Sequence, residues 1–468
     1  MHLSRNRFFH LFIVLFAPLL SVVDVYIVNM ALPEIKAQYH TTHGMTELVI
    51  NSYLVGYCVF LITGGRAGDF FGRKKTYVTG MFAFTLFSAL CGWAQTIDQL
   101  LFYRFFQGVS AAIMIPQTLA IIQIEFRSAK DRVKAFGSFG ITLGIASILG
   151  QFLGGYFIST TWMEESWRLI FLINLPFGIL NILLASCFLK ETRHNEKGRF
   201  DWSGVILLTF SLSFLVYALT MIPEEGLTSF IMTLLALSAI GFYFFWRNQK
   251  RKTNNEANPL MNTTLFNIKS FNFVLLIVLF FFGAHNSYLL MCAIQFKNTL
   301  HISSLAAAQY FTFNGIGFLF SSIIAFKYLN KYGISLLIGG CMLMLTSVVC
   351  QIFSLVNPEN AGYIPLFMFI YGLGQGTLLP SILNYALRKI PYEFSALAGG
   401  VYSTVQQFSS ALGMCIIGSL FFFSLNNGFN AYQIGMGMVA AYLAVVGILL
   451  YRLSKFKTVS GTAKTINE

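Results

Sequence analysis

A run of about 20 apolar residues, bounded by charged residues, recurs along the whole of this sequence. An α-helix of that length rises about 30 Å, which is the thickness of the hydrocarbon core of a bilayer. Charged residues make up 10% of the chain, whereas an ordinary soluble domain is about 25% charged. The alternating strands of a membrane β-barrel do not occur in the sequence. The pattern therefore predicts an all-α polytopic membrane protein, in which each helix satisfies its own backbone hydrogen bonds.

Fourteen apolar runs are long enough to span a membrane as helices. They begin near Phe9, Leu48, Tyr77, Gln99, Ala135, Trp167, Trp202, Phe230, Asn272, Ala306, Ile334, Tyr363, Ala396 and Tyr432. The first run is long, lacks a small-residue cleavage site and carries Asp24 and Asn29. We interpret it as the first membrane helix rather than as a removable signal.

The Lys and Arg residues predict the orientation of these helices, because cytoplasmic loops hold an excess of both. With both termini in the cytoplasm, the cytoplasmic segments hold 27 of the 31 Lys and Arg residues. Only Lys36 and Lys297 fall in external loops, while Arg104 and Arg168 lie within or at the edge of helices. Topology thus explains the net charge of +13, and we expect no nucleic-acid partner. The expected location is the inner (cytoplasmic) membrane of a cell.

A weak internal repeat predicts that the chain has two halves. The stretch "DFFG" (69–72) has an echo in "NKYG" (330–333), and "QGVSAAIMIP" (107–116) has one in "QGTLLP" (375–380). Two parallel six-helix repeats around a central cavity are an arrangement found in transporters. We expect an N-terminal six-helix bundle (1–195), two additional helices (196–250), a cytoplasmic linker (251–270) and a C-terminal six-helix bundle (271–468).

Four motifs carry a family resemblance. The stretch "GGRAGDFFGRKK" (64–75) resembles the loop between the second and third helices of the major facilitator superfamily. The stretches "DVYIVNMALP" (24–33), "YRFFQGVSAA" (103–112) and "WRLIFLINLPFG" (167–178) are similar to signatures of its 14-helix drug:proton antiporter branch. The resemblance implies the major facilitator fold, with two six-helix bundles, two extra helices and both termini cytoplasmic.

The first of these motifs is a candidate conformational latch. Its residues are Gly65, Asp69, Gly72, Arg73 and Lys74. The glycines permit tight turns and close helix approach, and the acid is able to accept hydrogen bonds from a helix N-terminus or to pair with a base. Such a latch would hold the cytoplasmic side shut in one state and release it in the other. The alternative is a basic loop that only sets topology.

A glycine-rich stretch in the fifth span, "GQFLGG" (150–155), is a candidate helix-packing motif. Gly150, Gly154 and Gly155 resemble the glycine-rich antiporter motif, in which small residues let two helices touch. The sequence departs from the family pattern at Gln151, where the family usually has Pro. Close packing explains the glycines as well as antiport does, and the departure puts the special kink of the motif in doubt.

Asp24 is the one acid that the sequence places clearly within a span, and we expect it to be the proton-coupling residue. An unpaired charge near the bilayer centre costs about 2.5–3.5 kcal/mol, so such an acid is protonated, paired or functional. Arg104, at a similar depth in the fourth span, is the expected partner that tunes it. A structural ion pair is the alternative. His285 is a second candidate for titration, or a packing residue, and Glu125 is an interfacial acid.

Polar and aromatic residues are candidates for the lining of a substrate cavity. They are Asn29, Tyr53, Gln107, His285, Asn314, Gln375 and Gln407. Aromatic rings stack on flat or cationic ligands, and amides donate and accept hydrogen bonds. Each of these residues is alternatively explained by a hydrogen bond to a neighbouring helix.

The expected function is proton-coupled efflux of amphipathic organic compounds by alternating access, as in a multidrug antiporter. The alternative is a proton-coupled exporter of an endogenous metabolite such as a siderophore. A membrane enzyme or a channel is disfavoured, because the loops hold no phosphate-binding loop or metal-ligand cluster and the halves offer no symmetric ring of ligands. We expect a monomer that meets a small-molecule substrate, protons and lipid, with no cofactor and no metal. The seven scattered cysteines are interpreted as packing residues.

Overall fold

In the computed structural model of the chain, every long element that is described is a helix. The structure describes residues 2–126, 128–160, 162–192, 201–255, 257, 259–298, 300, 302–354, 362–387, 395–426 and 430–455. Within this part of the chain, the helices are α1 (His2–Tyr39), α2 (His43–Phe71), α3 (Arg73–Trp93), α4 (Ile97–Glu125), α5 (Ala129–Ser159), α6 (Leu169–Leu172), α7 (Asn174–Phe188), α8 (Trp202–Glu225), α9 (Ser229–Asn254), α10 (Lys269–Asn298), α11 (Ser304–Tyr332), α12 (Ile334–Ser354), α13 (Ile364–Leu387), α14 (Ser395–Gly413), α15 (Ser419–Asn426) and α16 (Ala431–Lys455).

Two membrane segments are built from shorter pieces. A 3-10 turn, Ser166–Arg168, leads into α6 and then α7, and a π-helical turn, Met414–Gly418, joins α14 to α15. Counted this way, the described residues form fourteen long helical segments, at the places where the apolar runs predict them.

Thirteen of the described helices are long and apolar enough to cross a membrane. Helix α11 packs against α5 and α13.

The helices form two groups, α1–α7 and α10–α16, which pack against each other. Helix α1 packs against α5 and α2 against α4, while α11 and α12 both pack against α13. The two groups meet where α5 contacts α11 and where α2 contacts α14. Helices α8 and α9 pack on each other, and α8 also lies against α2.

Contacts between loops define the two ends of the bundle. Gln38, in the last turn of α1, donates a hydrogen bond to Glu165, which follows α5, and the amide of Gly44, in the first turn of α2, donates to Glu224 at the end of α8. We call this the loop-1 end. At the opposite end of α2 lies the turn into α3, where the amide of Lys74 donates to Glu191 after α7. We call this the loop-2 end.

Helix α2 begins earlier than predicted, at His43 instead of near Leu48. Its N-cap is Thr42, whose hydroxyl accepts a hydrogen bond from the amide of Met45 at 3.2 Å, and such a cap stabilises a helix start. Glu47 therefore lies inside a candidate span, and it is only 2% exposed. The expectation that Asp24 is the one acid within a span is wrong.

Candidate functional site

Asp24 lies at the centre of a fully buried polar cluster between α1, α4 and α7. The Arg104 Nη1 atom lies 2.5 Å from Asp24 Oδ2, Gln107 Nε2 donates to Oδ1 at 2.8 Å, and Asn174 Nδ2 donates to Oδ1 at 3.2 Å. Asp24 and Arg104 are both 0% exposed. We call these four residues the acid–guanidinium cluster.

Helix geometry explains why α4 supplies two members of this cluster. Arg104 and Gln107 are three residues apart, so they lie on the same face of α4. Gln107 Oε1 accepts a hydrogen bond from Arg104 Nη1 at 2.8 Å while Gln107 Nε2 donates to Asp24. The amide thus bridges the base and the acid and fixes the orientation of both side chains.

The guanidinium of Arg104 is held by α2 as well. Arg104 Nε donates to the carbonyl of Val49 at 3.0 Å, and its Cζ lies 4.5 Å from the centre of the Tyr53 ring, a cation–π distance. Tyr53 Oη lies 2.6 Å from Ser21 Oγ. Among the described residues, Arg104 Nη2 has no hydrogen-bond partner, so the guanidinium keeps the two N–H groups of that atom unused.

The chemistry of this cluster follows from its burial. A carboxylate and a guanidinium in contact neutralise each other, and removal of either leaves an uncompensated charge in a low dielectric, which is strongly unfavourable. Proton binding to Asp24 would therefore free Arg104 to seek another acceptor. Such a pair is suited to link protonation to a rearrangement of the helices.

His285 in α10 forms a second polar cluster, which crosses between the two groups of helices. Its Nε2 lies 3.1 Å from Gln375 Nε2 and 3.3 Å from Tyr26 Oη, and its Nδ1 lies 3.4 Å from Tyr371 Oη. Tyr26 belongs to α1 and is two residues from Asp24. The histidine thus contacts the helix that carries the acid.

A small polar cavity adjoins this second cluster. Its lining includes Tyr26, Gln151, Asn314 and Gln375, which come from α1, α5, α11 and α13. Among the described residues, the Oε1 atoms of Gln151 and Gln375 have no hydrogen-bond partner. Buried acceptors without donors are rare in proteins, and the cavity volume of about 10 Å³ is close to the space that one water molecule needs.

Two predicted cavity residues lie apart from these clusters. Asn29 is buried in α1 and Gln407 is partly buried in α14. No hydrogen bond within the described residues joins either side chain to the acid–guanidinium cluster or to His285. Gln107 and Tyr53, by contrast, belong to the surroundings of Asp24.

The predicted glycine motif brings α5 against α1 beside the acid. A Cβ atom at Gly150 would lie 2.8 Å from the carbonyl oxygen of Val23, and one at Gly154 would lie 2.7 Å from that of Ile27. Gly155 is buried in the same helix. Only glycine permits so close a backbone approach at the first two positions.

The predicted latch region forms the turn between α2 and α3. Gly72 has φ +100°, a conformation that favours glycine. The amides of Lys74 and Lys75 each donate to the carboxylate of Glu191 at 3.1 Å, so an acid does lie at the N-terminus of α3, where the helix dipole favours it. Arg73 Nη1 donates to the carbonyl of Ala120 in α4 at 3.2 Å.

Two latch residues need separate comment. A Cβ atom at Gly65 would lie 3.6 Å from Pro116, which is ordinary contact, so the space at this position does not itself require glycine. The backbones of α2 and α4 approach closely at the preceding residue, where a Cβ at Gly64 would lie 2.1 Å from the carbonyl oxygen of Ala112. The side chain of Asp69 lies outside the described residues.

Comparison with family models matches nearly all of this helical region. The model described as Major Facilitator Superfamily matches residues 14–223 and 225–414. The chain belongs to the major facilitator superfamily. It is therefore a multi-pass membrane transporter of small molecules and not an enzyme, and the family predicted from the four motifs is confirmed.

Curated relatives of this chain are named for transport or for multidrug resistance. The "Probable actinorhodin transporter" of Streptomyces coelicolor is 28% identical over 423 residues, which cover 89% of this chain and 73% of the relative. "Multidrug resistance protein Stp" of Mycobacterium tuberculosis is 29% identical over 403 residues, covering 85% and 73%. "Multidrug transporter protein MdtP" of Bacillus subtilis is 28% identical over 402 residues, covering 84% and 70%.

Solved structures of the superfamily share the fold. A bacterial homologue of the human lysosomal transporter Spinster, in an inward-facing and unoccupied conformation, has a TM-score of 0.69 at 15% identity, over 96% of this chain and 97% of that one. A D-xylose–proton symporter has a TM-score of 0.67 at 12% identity, over 95% and 97%. At these identities the likeness concerns the fold alone.

Four functional candidates escaped the sequence analysis. Asn174 joins Asp24, Gln151 lines the small cavity, Glu191 caps α3, and Glu47 is buried in α2. Asn174 lies in the "WRLIFLINLPFG" motif and Gln151 is the residue that departs from the glycine motif, so both signals were visible. Glu191 and Glu47 carry no motif, and only packing reveals their partners.

Proposed function

We propose that this superfamily member is a proton-coupled exporter of amphipathic organic compounds, a multidrug antiporter that works by alternating access in an inner membrane. Asp24 binds the transported proton, and Arg104 holds its carboxylate ionised until the cluster rearranges. The chain acts as a monomer with both termini in the cytoplasm. The latch that closes one side, at the loop-2 end, consists of Gly65, Asp69, Gly72, Arg73 and Lys74.

The observation that carries this proposal is the contact between Asp24 and Arg104. An acid and a base without any exposure are costly to insert into a membrane and are weak evidence for stability alone. Their neighbour Tyr26 reaches His285 across the interface between the groups of helices. Protonation of Asp24 would thus alter the contacts at the interface that must rearrange in transport.

The names of the relatives support the substrate class. One relative is named for multidrug resistance and another for multidrug transport, and the chain shares most of its length with both.

Transport in inside-out membrane vesicles tests the proposal. Ethidium, a lipophilic fluorescent cation, should accumulate in the vesicles when an imposed pH gradient makes the lumen acidic, and Asp24→Asn should abolish this accumulation. Asp98→Asn is the matched control, because Asp98 is an exposed acid in the first turn of α4. If Asp24→Asn, inserted at the normal level, still accumulates ethidium in response to the gradient, Asp24 is not the coupling site.

Export of an endogenous product is the second candidate function. It is favoured by the relative named as a probable actinorhodin transporter, which covers 89% of this chain. The two candidates differ in breadth: a multidrug exporter moves several unrelated dyes, whereas a metabolite exporter moves one class of compound. A screen of chemically distinct dyes and of metabolite extracts in the same vesicles separates them.

A further inference from the structure

A second cavity lies between the two groups of helices at the loop-1 end. Its volume is about 300 Å³, and α1, α2, α10 and α15 all contribute to its lining. The polar side chains of the lining are Lys36, His43, Thr46 and Glu47, and the rest are apolar. This cavity is separate from the acid–guanidinium cluster, of which none of these residues is a member.

Glu47 is the buried acid of this cavity. It is 2% exposed, and its Oε1 accepts one hydrogen bond, from Asn51 Nδ2 at 3.2 Å. None of the ion pairs within the described part of the chain includes Glu47. The carboxyl thus differs from Asp24, which has a guanidinium in contact.

The carboxyl of Glu47 reaches the opposite group of helices. A Cβ atom at Gly418 would lie 2.9 Å from Glu47 Oε2, so the carboxyl occupies the space that the missing side chain leaves. Gly418 ends the π-helical turn between α14 and α15, and π-helical turns inside α-helices are frequent at functional sites. The neighbouring Asn51 Nδ2 also lies 3.4 Å from Cys415 Sγ of the same turn.

Other charged and titratable groups face Glu47 from the elements that surround it. His43 precedes it by one turn on α2, and Lys36 Nζ of α1 lies 2.6 Å from His43 Nε2. Glu224 of α8 accepts a hydrogen bond from the amide of Gly44 at 2.7 Å, and Cys415 lies on the π-helical turn. The ammonium of Lys36 donates to His43, whose ring is therefore neutral, and none of the ion pairs in the described part of the chain joins Lys36 to the carboxyl.

A buried carboxylate without a cation is costly in a low dielectric, whereas the neutral acid needs only ordinary hydrogen bonds. Separation of the helices at Gly418 would admit water to the carboxyl and remove that cost. We propose that Glu47 is a second proton-carrying carboxyl, protonated while the two groups of helices meet at the loop-1 end and ionised when they part there. Its O–H bond then breaks and the proton passes to water in the cavity. The proposal rests on the proton-coupled function proposed above and adds a second site to it.

Infrared spectroscopy of the purified protein tests the protonation directly, without any substrate. At neutral pH, the wild type should show the C=O stretching band of a protonated carboxylic acid that is absent from Glu47→Gln and present in Glu224→Gln. The glutamine substitution keeps the size of the side chain, and Glu224→Gln controls for loss of an acid at the same end. A band that persists unchanged in Glu47→Gln overturns the proposal.

A transport assay is the second test of the proposal. With a gradient of about one pH unit, loss of one coupled proton lowers the limiting accumulation of ethidium about tenfold, and this is the expected effect of Glu47→Gln. Accumulation equal to that of the wild type overturns the proposal for Glu47. A wild type that shows no response to the gradient overturns the proposed function, while the infrared band still decides the protonation of Glu47.

Discussion

Asp24 and Arg104 neutralise each other only while both are present, so stability and proton coupling are separable by mutation. Asp24→Asn leaves a guanidinium buried without a counter-charge, and breaking a buried pair costs about 3–5 kcal/mol. Replacement of both residues removes the charge altogether and is often close to neutral. We therefore expect Asp24→Asn to lower the thermal stability of the purified protein and Asp24→Asn with Arg104→Met to restore most of it.

The double variant should still fail to accumulate ethidium, because it holds no titratable group at this site. Thermal unfolding in detergent measures the first effect and vesicle transport the second. A double variant that is as unstable as Asp24→Asn alone would show that the cost does not arise from the unpaired charge.

The close contact between α5 and α1 predicts that one added methyl group changes the stability of the protein. Gly154→Ala places a Cβ 2.7 Å from the carbonyl oxygen of Ile27, and such overpacking typically costs about 1–3 kcal/mol. Gly140→Ala in the same helix meets nothing within 4 Å, and it should leave stability unchanged or raise it by about 0.4–1 kcal/mol. Thermal unfolding of the two variants compares them; equal midpoints would contradict the close approach.

The pairing of Asp24 with Arg104 was predictable from sequence, since both lie at similar depths in apolar helices where a lone charge is costly. The hydrogen bond from Asn174 was not, because an amide in an apolar helix has many possible partners and the choice depends on how α7 is rotated against α1. The same holds for Gln151, whose exposure to the small cavity depends on the packing of α5 between α1 and α11.

Among the helices, the start of α8 is fixed by a single acid. Asp201 Oδ1 accepts a hydrogen bond from the amide of Gly204 at 2.7 Å, and Oδ2 accepts from Gln249 Nε2 at 2.7 Å and from the amide of Leu260 at 3.0 Å. Lys252 also pairs with it. Asp201 thus joins the N-terminus of α8 to the C-terminal part of α9 and to the segment that follows.

These contacts predict a dependence of stability on pH. Burial by itself raises the pKa of Asp201, but the hydrogen bonds from Lys252, Gln249 and the two backbone amides outweigh it and lower the pKa to about 2. Because the pKa is lower in the folded protein than in the unfolded chain, this stability is present above about pH 4 and is lost as the pH falls toward 2.

Asp201→Asn keeps an oxygen that caps α8 but removes the charge and places an amide group opposite donors, so it should lower the thermal midpoint at neutral pH by the equivalent of about 1.5–3 kcal/mol. It should also flatten the fall of the midpoint between about pH 5 and pH 3. Thermal unfolding of wild type and variant across this range measures both effects. A variant with the same slope as the wild type would assign the acid sensitivity to other carboxyl groups.

The existence of these helices was predictable because each one had to be apolar over about 20 residues to cross a membrane. The ends of the helices were less predictable, since a polar residue near a helix end is equally compatible with a loop. Helix α2 shows this: the polar stretch before Leu48 is the first turn of the helix, capped by Thr42, and Glu47 was missed for that reason.

For the whole molecule, the loop contacts divide the bundle into two ends, and the Lys and Arg residues predict which end faces the cytoplasm. Glu165 contacts the end of α1 and Glu224 the start of α2, and one short turn joins these two helix ends, so the two acids share one side of the membrane. Reporter fusions at Glu165 and Glu225 should report outside, and fusions at Lys197 and Lys252 should report inside. One reversed report among the four would contradict the 14-span topology.

One turn of α1 contacts three different partners. The carbonyls of Val23 and Ile27 receive the glycines of α5, Asp24 holds Arg104 of α4, and Tyr26 reaches His285 of α10. Residues 23–27 thus contact three helices, one through backbone carbonyls, one through a charge and one through a hydroxyl. Few substitutions preserve all of these contacts, so saturation mutagenesis of the gene should find residues 23–27 among the least tolerant of the chain. The membrane-facing side of α9, by contrast, should accept almost any apolar residue.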